Sequence, residues 1–442
     1  PAPEPVEGEG EGEGEGLSVE NGAALQVQVC RLLWDASVVD VNALAIVPAA
    51  CNIIATAAFT RDSLPKTREA ARGVLANVAC RVPASLIAVP RLLRLVADTL
   101  RDDAHSISTS DTIVPQDPEE AAAGVTLLRL IGNLAWSKEH VLTVGTMPGL
   151  VHSLEVVAEA DLIFGHAANV LANLSDHPLM ARHINVAVLD KLRTHPQASD
   201  RVRFLCTISQ SHIICRSTHR DEYRDPADQA IYDAPGEHWY WSLRGEVGPA
   251  WDSLADDPLV RRFVIPDTVL AQCVDAVRCS LAGASMFDLY FNITDTLRWL
   301  ANAAVNRDHA AGLAFGVVGD VLARAISQRA TRPPQLHQAG TTPVMSVASG
   351  ASETALRLCR ACSCVRRLAP NDLARRCLNV SGVGTALNAA LSAWTITTAT
   401  EIVSTEVDET VRLSIDLARQ ALSAATDGGD VRMEHDGDGE EE

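Results

Sequence analysis

Few clusters in this 442-residue chain combine residue types able to do chemistry. His219-Arg220-Asp221 has the form of the triplet that carries a catalytic base in protein kinases. That chemistry needs a metal-binding Asn five residues after the Asp, where Pro226 stands, and no Gly-rich strand loop precedes it, so phosphoryl transfer is excluded. Cys359-x2-Cys362-x-Cys364 invites a zinc reading. A structural zinc site wants four ligands, usually in two pairs; Cys377 is a poor fourth, and on a helix these thiols point in different directions. They read as small buried hydrophobes. Gly312-x3-Gly316-x2-Gly319 lies in a helical pattern with no strand before it, so it permits close helix packing instead of cradling phosphate. The thirteen histidines include no His-x3-His pair and no neighbouring nucleophile, so no triad can be written. No catalytic residue, cofactor or metal is expected.

What recurs instead is an asparagine near the end of an apolar helix. Leu130-Ile131-Gly132-Asn133-Leu134-Ala135 and Val170-Leu171-Ala172-Asn173-Leu174-Ser175 match closely, forty residues apart. Leu75-Ala76-Asn77-Val78 and Leu300-Ala301-Asn302-Ala303 are weaker copies, Thr207 takes the place in Phe204-Leu205-Cys206-Thr207-Ile208, and Arg360 takes it in a later segment. A carboxamide both donates and accepts, so a row of them can satisfy the backbone of an extended polypeptide whatever its side chains. The competing role is stitching neighbouring repeats, where an unpaired amide would cost roughly 1–3 kcal/mol. Trp136 and Trp299 lie three residues from an asparagine and share its helix face, as binding anchors or as core.

A helical unit repeated at this interval must stack on copies of itself to bury its apolar face. The predicted architecture is an all-α solenoid over residues 23–425, between disordered acidic tails at 1–22 and 426–442. Its elements run from a capping helix at Asn21–Ser37, through a buried pair of helices at Val38–Phe59, to a last helix from Glu406 to Ala425 decorated by Arg412 and Arg419. Pro148 is placed to open the helix after Met147, and one helix is expected over Met286–Asn302. Polar insertions are expected at about 102–118, 216–258 and 330–350. Removing the first restores a period near 42, inside the roughly 40–47 of armadillo and HEAT repeats. The second holds Trp239-Tyr240-Trp241, an aromatic patch read either as a partner-docking element or as a plug on the solenoid.

Charge and cysteine usage narrow the partners. Residues 1–20 carry seven Glu and no basic group, and residues 427–442 carry eight acidic groups against Arg432, so the ends hold fourteen of the nineteen net negative charges. The nearly balanced body lacks the basic stripe that nucleic acid demands. The Glu-Gly tail reads as a solvated tether or as a docking arm for a basic partner. Eleven scattered cysteines, an odd number with no signal peptide, point to reduced thiols in the cytoplasm or nucleus. The apolar run Val41–Phe59 is interrupted by Pro48 and Asn52, so it is not expected to span a membrane.

The Leu-x-Asn-Leu segments around Asn133 and Asn173 resemble the third-helix signature of armadillo repeats, the unit of β-catenin and importin-α. The resemblance covers most of Val38–Ala425 and implies a right-handed superhelix whose third helices line a concave, protein-binding groove. It places Asn77, Asn133, Trp136, Asn173, Thr207, Trp299 and Asn302 there, with Trp239, Tyr240 and Trp241 as a second contact surface. Importin-α arrays carry a Trp four residues before each Asn; here the offsets are three, and Thr207 and Arg360 break the ladder. The irregular ladder and acidic ends look more like the armadillo-type stimulators of GDP dissociation. That resemblance implies a non-catalytic regulator of a small GTPase with a basic or lipidated end. The alternative is a scaffold or transport adaptor that binds extended peptides.

Overall fold

Prolines and short polar caps cut the chain into helices. Pro65, Pro83, Pro118 and Pro258 each begin a helix, where a missing N–H costs nothing. Asn185, Asp257, Asn292 and Asn371 accept a backbone N–H from the first turn at 2.6–3.0 Å. The computed structural model describes residues 19–89, 91–109, 117–136, 140–161, 165–217, 257–315, 318–328, 350–400, 403 and 405–423.

Among the described residues the helices fall into seven groups of three. The first comprises Val19–Ala36, Asp40–Phe59 and Pro65–Arg81 (α1–α3), the second Pro83–Ile87, Leu92–Thr109 and Pro118–Trp136 (α4–α6). Then come Val141–Gly145, Leu150–Ala160 and His166–Ser175 (α7–α9), and Pro178–Ala181, Val186–Thr194 and Asp200–Ser217 (α10–α12). The last three are Pro258–Arg262, Asp267–Ala282 and Ile293–Ala303 (α13–α15), His309–Phe315, Val318–Ser327 and Gly350–Leu368 (α16–α18), and Asp372–Val380, Val383–Thr400 and Thr405–Ser423 (α19–α21).

Every third helix packs on the next of its kind. α3, α6, α9, α12, α15, α18 and α21 touch in series and form one row, the inner row, while α2 to α11 and α14 to α20 build a second, outer row beside it. Three helices per unit, where HEAT repeats have two, make this an armadillo-like all-α solenoid. One apolar core runs through the stack from Cys30 to Leu422. Close approach depends on glycine at two points. A Cβ on Gly73 would lie 2.4 Å from the Trp34 ring, and one on Gly319 would lie 2.7 Å from the Cys377 carbonyl.

Several elements depart from expectation. Residues 19–22 belong to α1, and residues 102–109 extend α5 where a loop was expected. Ser106, Ser108 and Thr109 return their hydroxyls to carbonyls of the same helix at 2.8–2.9 Å, so the polar run needs no loop. Val38–Phe59 holds one helix, α2, with Pro48 inside it. Among the described residues it alone is long and apolar enough to cross a membrane, yet Ile46, Cys51 and Ile54 join the common core. Gly149, in the left-handed conformation at φ 76°, leads into α8, taking the place given to Pro148. Residues 286–292 are a tight turn, not a helix: Met286 and Leu289 pair across Phe287 and Asp288, both at positive φ, before Asn292 caps α15.

Substituting Gly73 or Gly319 by Val should lower stability by roughly 1–3 kcal/mol through overpacking. Gly124→Ala, where a Cβ meets nothing within 4 Å, should raise it by about 0.5–1 kcal/mol. Urea unfolding of the three variants checks both signs.

Candidate functional site

The inner row is held by side chains that reach back to the carbonyls of the preceding inner helix. Asn133 Nδ2 donates to the Ala76 carbonyl at 2.8 Å, and Asn173 Nδ2 donates to the Gly132 carbonyl at 3.2 Å. Each acceptor immediately precedes the asparagine of the unit before, so the contact repeats in register. Arg367 Nη1 continues the pattern, donating to the Ala301 carbonyl, the residue before Asn302, at 2.8 Å. Arg360, aligned with Asn302 by sequence, reaches the Thr294 carbonyl at 2.8 Å and Asp295 at 3.5 Å. The register of that unit is therefore two helical turns from the sequence alignment. A helical carbonyl already accepts the N–H four residues on, and its second lone pair takes the side-chain donor.

Asn133 and Asn173 remain partly exposed while stitching, and they sit in a stripe. Arg129, Asn133 and Trp136 follow one another at four and three residues on α6; His166, Asn169 and Asn173 do so at three and four on α9. These spacings put each set on one helix face. All six are half-buried, on adjacent inner helices. The stripe contains Arg129, His166 and Asn169, which sequence reasoning passed over. Their signal was the helical offset of four and seven residues from the marked asparagines.

The other expected contact residues lie in the packed interior. Asn77 is buried, donating to Ser37 Oγ at 3.0 Å and to the Trp34 carbonyl at 3.3 Å. Thr207 is 0% exposed and gives its hydroxyl to the Arg203 carbonyl of its own helix. Trp299, 8% exposed, stacks edge-on against Phe204 and Phe291 at 5.8 and 4.9 Å between ring centroids, so it is core. Asn302 is buried beside it. Trp239, Tyr240 and Trp241 lie outside the described residues.

Packing sets the electrostatics of the stripe. Burial, with Arg201 and Arg129 nearby, lowers the His166 pKa to about 4. The imidazole is therefore neutral at pH 7, and its Nδ1 lies 3.4 Å from Arg201 Nη2, within reach to accept from it. Burial raises the Asp161 carboxyl to about 6, although the Ala167 N–H donates to it at 2.8 Å at the start of α9. Burial also lowers the pKa of Arg129.

A second polar group ties α9, α12 and α15 together. Ser175 Oγ lies 3.3 Å from His212 Nδ1, His212 Nε2 lies 4.0 Å from Asp176, and Arg298 pairs with Asp176. The residue types match a hydrolase triad, but Ser175 is fully buried and gives its proton to the Ala172 carbonyl at 2.8 Å. No substrate carbonyl can reach it, so the group fastens helices. Cys359 and Cys364 are buried, Cys359 Sγ accepting from the Ser414 hydroxyl and the Cys364 thiol donating to the Leu297 carbonyl. Among the described residues no three His, Cys, Asp or Glu side chains converge for a metal.

No family model and no curated protein matches the sequence. A solved structure from work on a conserved phosphorylation switch that controls the interaction between cadherin and beta-catenin aligns over 90% of this chain and 75% of that one, at 12% identity and a TM-score of 0.36. A likeness at that level transfers no residue roles. The assignment as an armadillo-like solenoid stands on the three-helix units and their rows.

Replacing Asn133 and Asn173 together by Ala should cost about 0.5–1.5 kcal/mol per site, read as a lower urea midpoint, because each removes a donor between repeats. Acid provides the second check. His166 has a folded pKa near 4, below the ordinary 6.5, so its contribution is full above pH 6.5 and is lost as pH falls toward 4. Asp161 has a folded pKa near 6, above 3.8, so its charged form opposes folding at pH 7 and that cost is relieved over an overlapping range. His166→Gln should therefore lose less stability between pH 7 and pH 5 than the parent chain.

Proposed function

We propose that this chain is a non-catalytic protein-binding solenoid and that the stripe on α6 and α9 receives an extended segment of a partner protein. One observation carries the reading: half-buried carboxamides recur on adjacent inner helices, with the half-buried Trp136 beside them. An amide holds two N–H donors and an acceptor oxygen, so one donor can stitch repeats while the rest serve a partner's backbone. Adjacent packed helices lie about 8–10 Å apart, close to the rise of three residues of extended chain at about 3.3 Å each. A β-strand-like ligand would thus meet successive amides every third residue. The eleven free thiols fit a reducing compartment, cytoplasm or nucleus.

The narrower reading, stimulation of GDP dissociation from a small GTPase, draws on the chain's acidic ends and irregular ladder. Such a protein would work by binding the nucleotide-poor state of its client more tightly than the loaded state.

A photo-crosslinking side chain at position 169 or 136 should capture a partner polypeptide in cells, whereas the same group at Arg94, exposed on outer helix α5, should not. Capture at position 94 alone would defeat the assignment of the stripe. Faster release of fluorescent GDP from Ras- or Rho-type GTPases would support the narrower reading; unchanged release across both types would remove it and leave the peptide-binding reading standing.

A further inference from the structure

The short helix that opens a unit follows an inner helix and packs on the short helix of the unit before, α10 on α7 and α19 on α16. The backward side of α19 is fixed in this way: Cys377 gives its thiol to the Ala314 carbonyl of α16 at 3.8 Å, and Ala374 and Leu378 are buried beside it. Among the described residues nothing covers the opposite side. Leu373, Arg376 and Val380 follow one another at three and four residues, so they share that face, and all three are exposed, Val380 at 90%. Arg375 is engaged with Asp372 and the Ala369 carbonyl, whereas Arg376 makes no hydrogen bond or ion pair among the described residues.

The inner row sets which segment lies next to this face. Its helices run parallel: Arg360, Cys364 and Arg367 of α18 meet the Thr294, Leu297 and Ala301 carbonyls of α15 in order. α21 continues the row, with Ser414 Oγ donating to Cys359 Sγ at 3.4 Å, so Ser423 lies level with Leu368, where α18 gives way to α19. The exit from α21 is thus one unit beyond the exit into α19, on the uncovered side of α19. Charge points the same way. Residues 357–400 hold six Arg and one acid, Asp372, in a chain of net charge −19, while residues 424–442 hold eight acidic groups against Arg432, with Val431 and Met433 as their large apolar members. Residues 417–423 of α21 carry Arg419 and no carboxylate, and Asp408 and Asp416 are paired with Arg412 and Arg419.

We propose that residues 424–442 dock on this face of α19 within the same chain, Asp427 and Asp430 against Arg376, and Val431 and Met433 against Leu373 and Val380. The two carboxylates stand four and seven residues past Ser423, a reach of at most about 14 and 25 Å. The Glu residues of 1–20 start six units away, on the order of 50 Å at about 8–10 Å per inner helix, which is about the fully extended length of that whole segment. A surface ion pair alone is worth little, so the apolar contacts hold the segment, the charges select it, and the tether supplies a high local concentration.

A photo-crosslinking side chain at position 380 of the purified full chain tests the proposal, because Val380 is exposed and its replacement leaves the packing of α19 intact. Mass spectrometry should place the new bond within residues 424–442, in a product of single-chain mass, 47.2 kDa. The yield should fall about fivefold in the double variant Val431→Asp, Met433→Asp, which removes the apolar contacts and keeps the tether. An unchanged yield in that variant means proximity without docking and overturns the proposal. So does a bond to residues 1–18 or 218–256, a product of twice the single-chain mass, or no bond to 424–442.

Discussion

The array depends on side-chain donors that cross from one inner helix to a backbone carbonyl of the one before, seen at three joints among the described residues. Apolar packing alone does not fix the sliding position of two Ala- and Leu-rich helices, because neighbouring ridges offer similar contacts. A side-chain N–H aimed at a single carbonyl does. Asn133 at Ala76, Asn173 at Gly132 and Arg367 at Ala301 set the same register at three joints. Arg72 adds a rivet of the same kind, donating from Nη1 to the Ala123 carbonyl at 2.8 Å and from Nε to the Ala58 carbonyl at 3.0 Å. A buried guanidinium is costly to desolvate, and these carbonyls supply partial negative charge where no water enters.

Much of this was legible in the sequence, and the rest was hidden for identifiable reasons. Recurring Leu-x-Asn-Leu segments announced the solenoid, whereas the helix start at Asn292 was hidden within the helix expected over Met286–Asn302. That Asn133 and Asn173 stitch the repeats while staying partly exposed follows from the rotation of each helix, which no linear pattern contains. Thr207 and Trp299 occupy the expected positions on their helices but are buried, Trp299 under Phe204 of α12 and Phe291 of the segment before α15. Arg360 and Arg367 lie seven residues apart, so both satisfy a helical repeat, and only the carbonyl partners distinguish them. Ser175, Asp176 and His212 are brought together by α9 stacking on α12, although thirty-six residues separate Asp176 from His212.

The same stacking explains why polar groups are common in a helix as deeply buried as α12. Ser209 and Ser211 return their hydroxyls to carbonyls of their own helix at 2.8–2.9 Å, and His309 nearby is spent at both nitrogens, on the Ile265 N–H and the Ala303 carbonyl at 2.9 Å. Each is satisfied locally, so the interior tolerates it. Burial lowers the His309 pKa and keeps Nε2 available as an acceptor.

Ser217 at the end of α12 and Asp257 at the start of α13 meet at one joint of the array. A small separate cluster of Cys215, Val260 and Val305 joins the two ends, and Asn306 Nδ2 holds the Val260 and Phe263 carbonyls at 3.2 Å. With these two helix ends pinned by their own contacts, closing a flexible segment between them would cost entropy that grows only with the logarithm of its length, about 0.6 kcal/mol per doubling. The joint between α12 and α13 is thus a place where this architecture can accept new sequence, long or short, at almost constant stability.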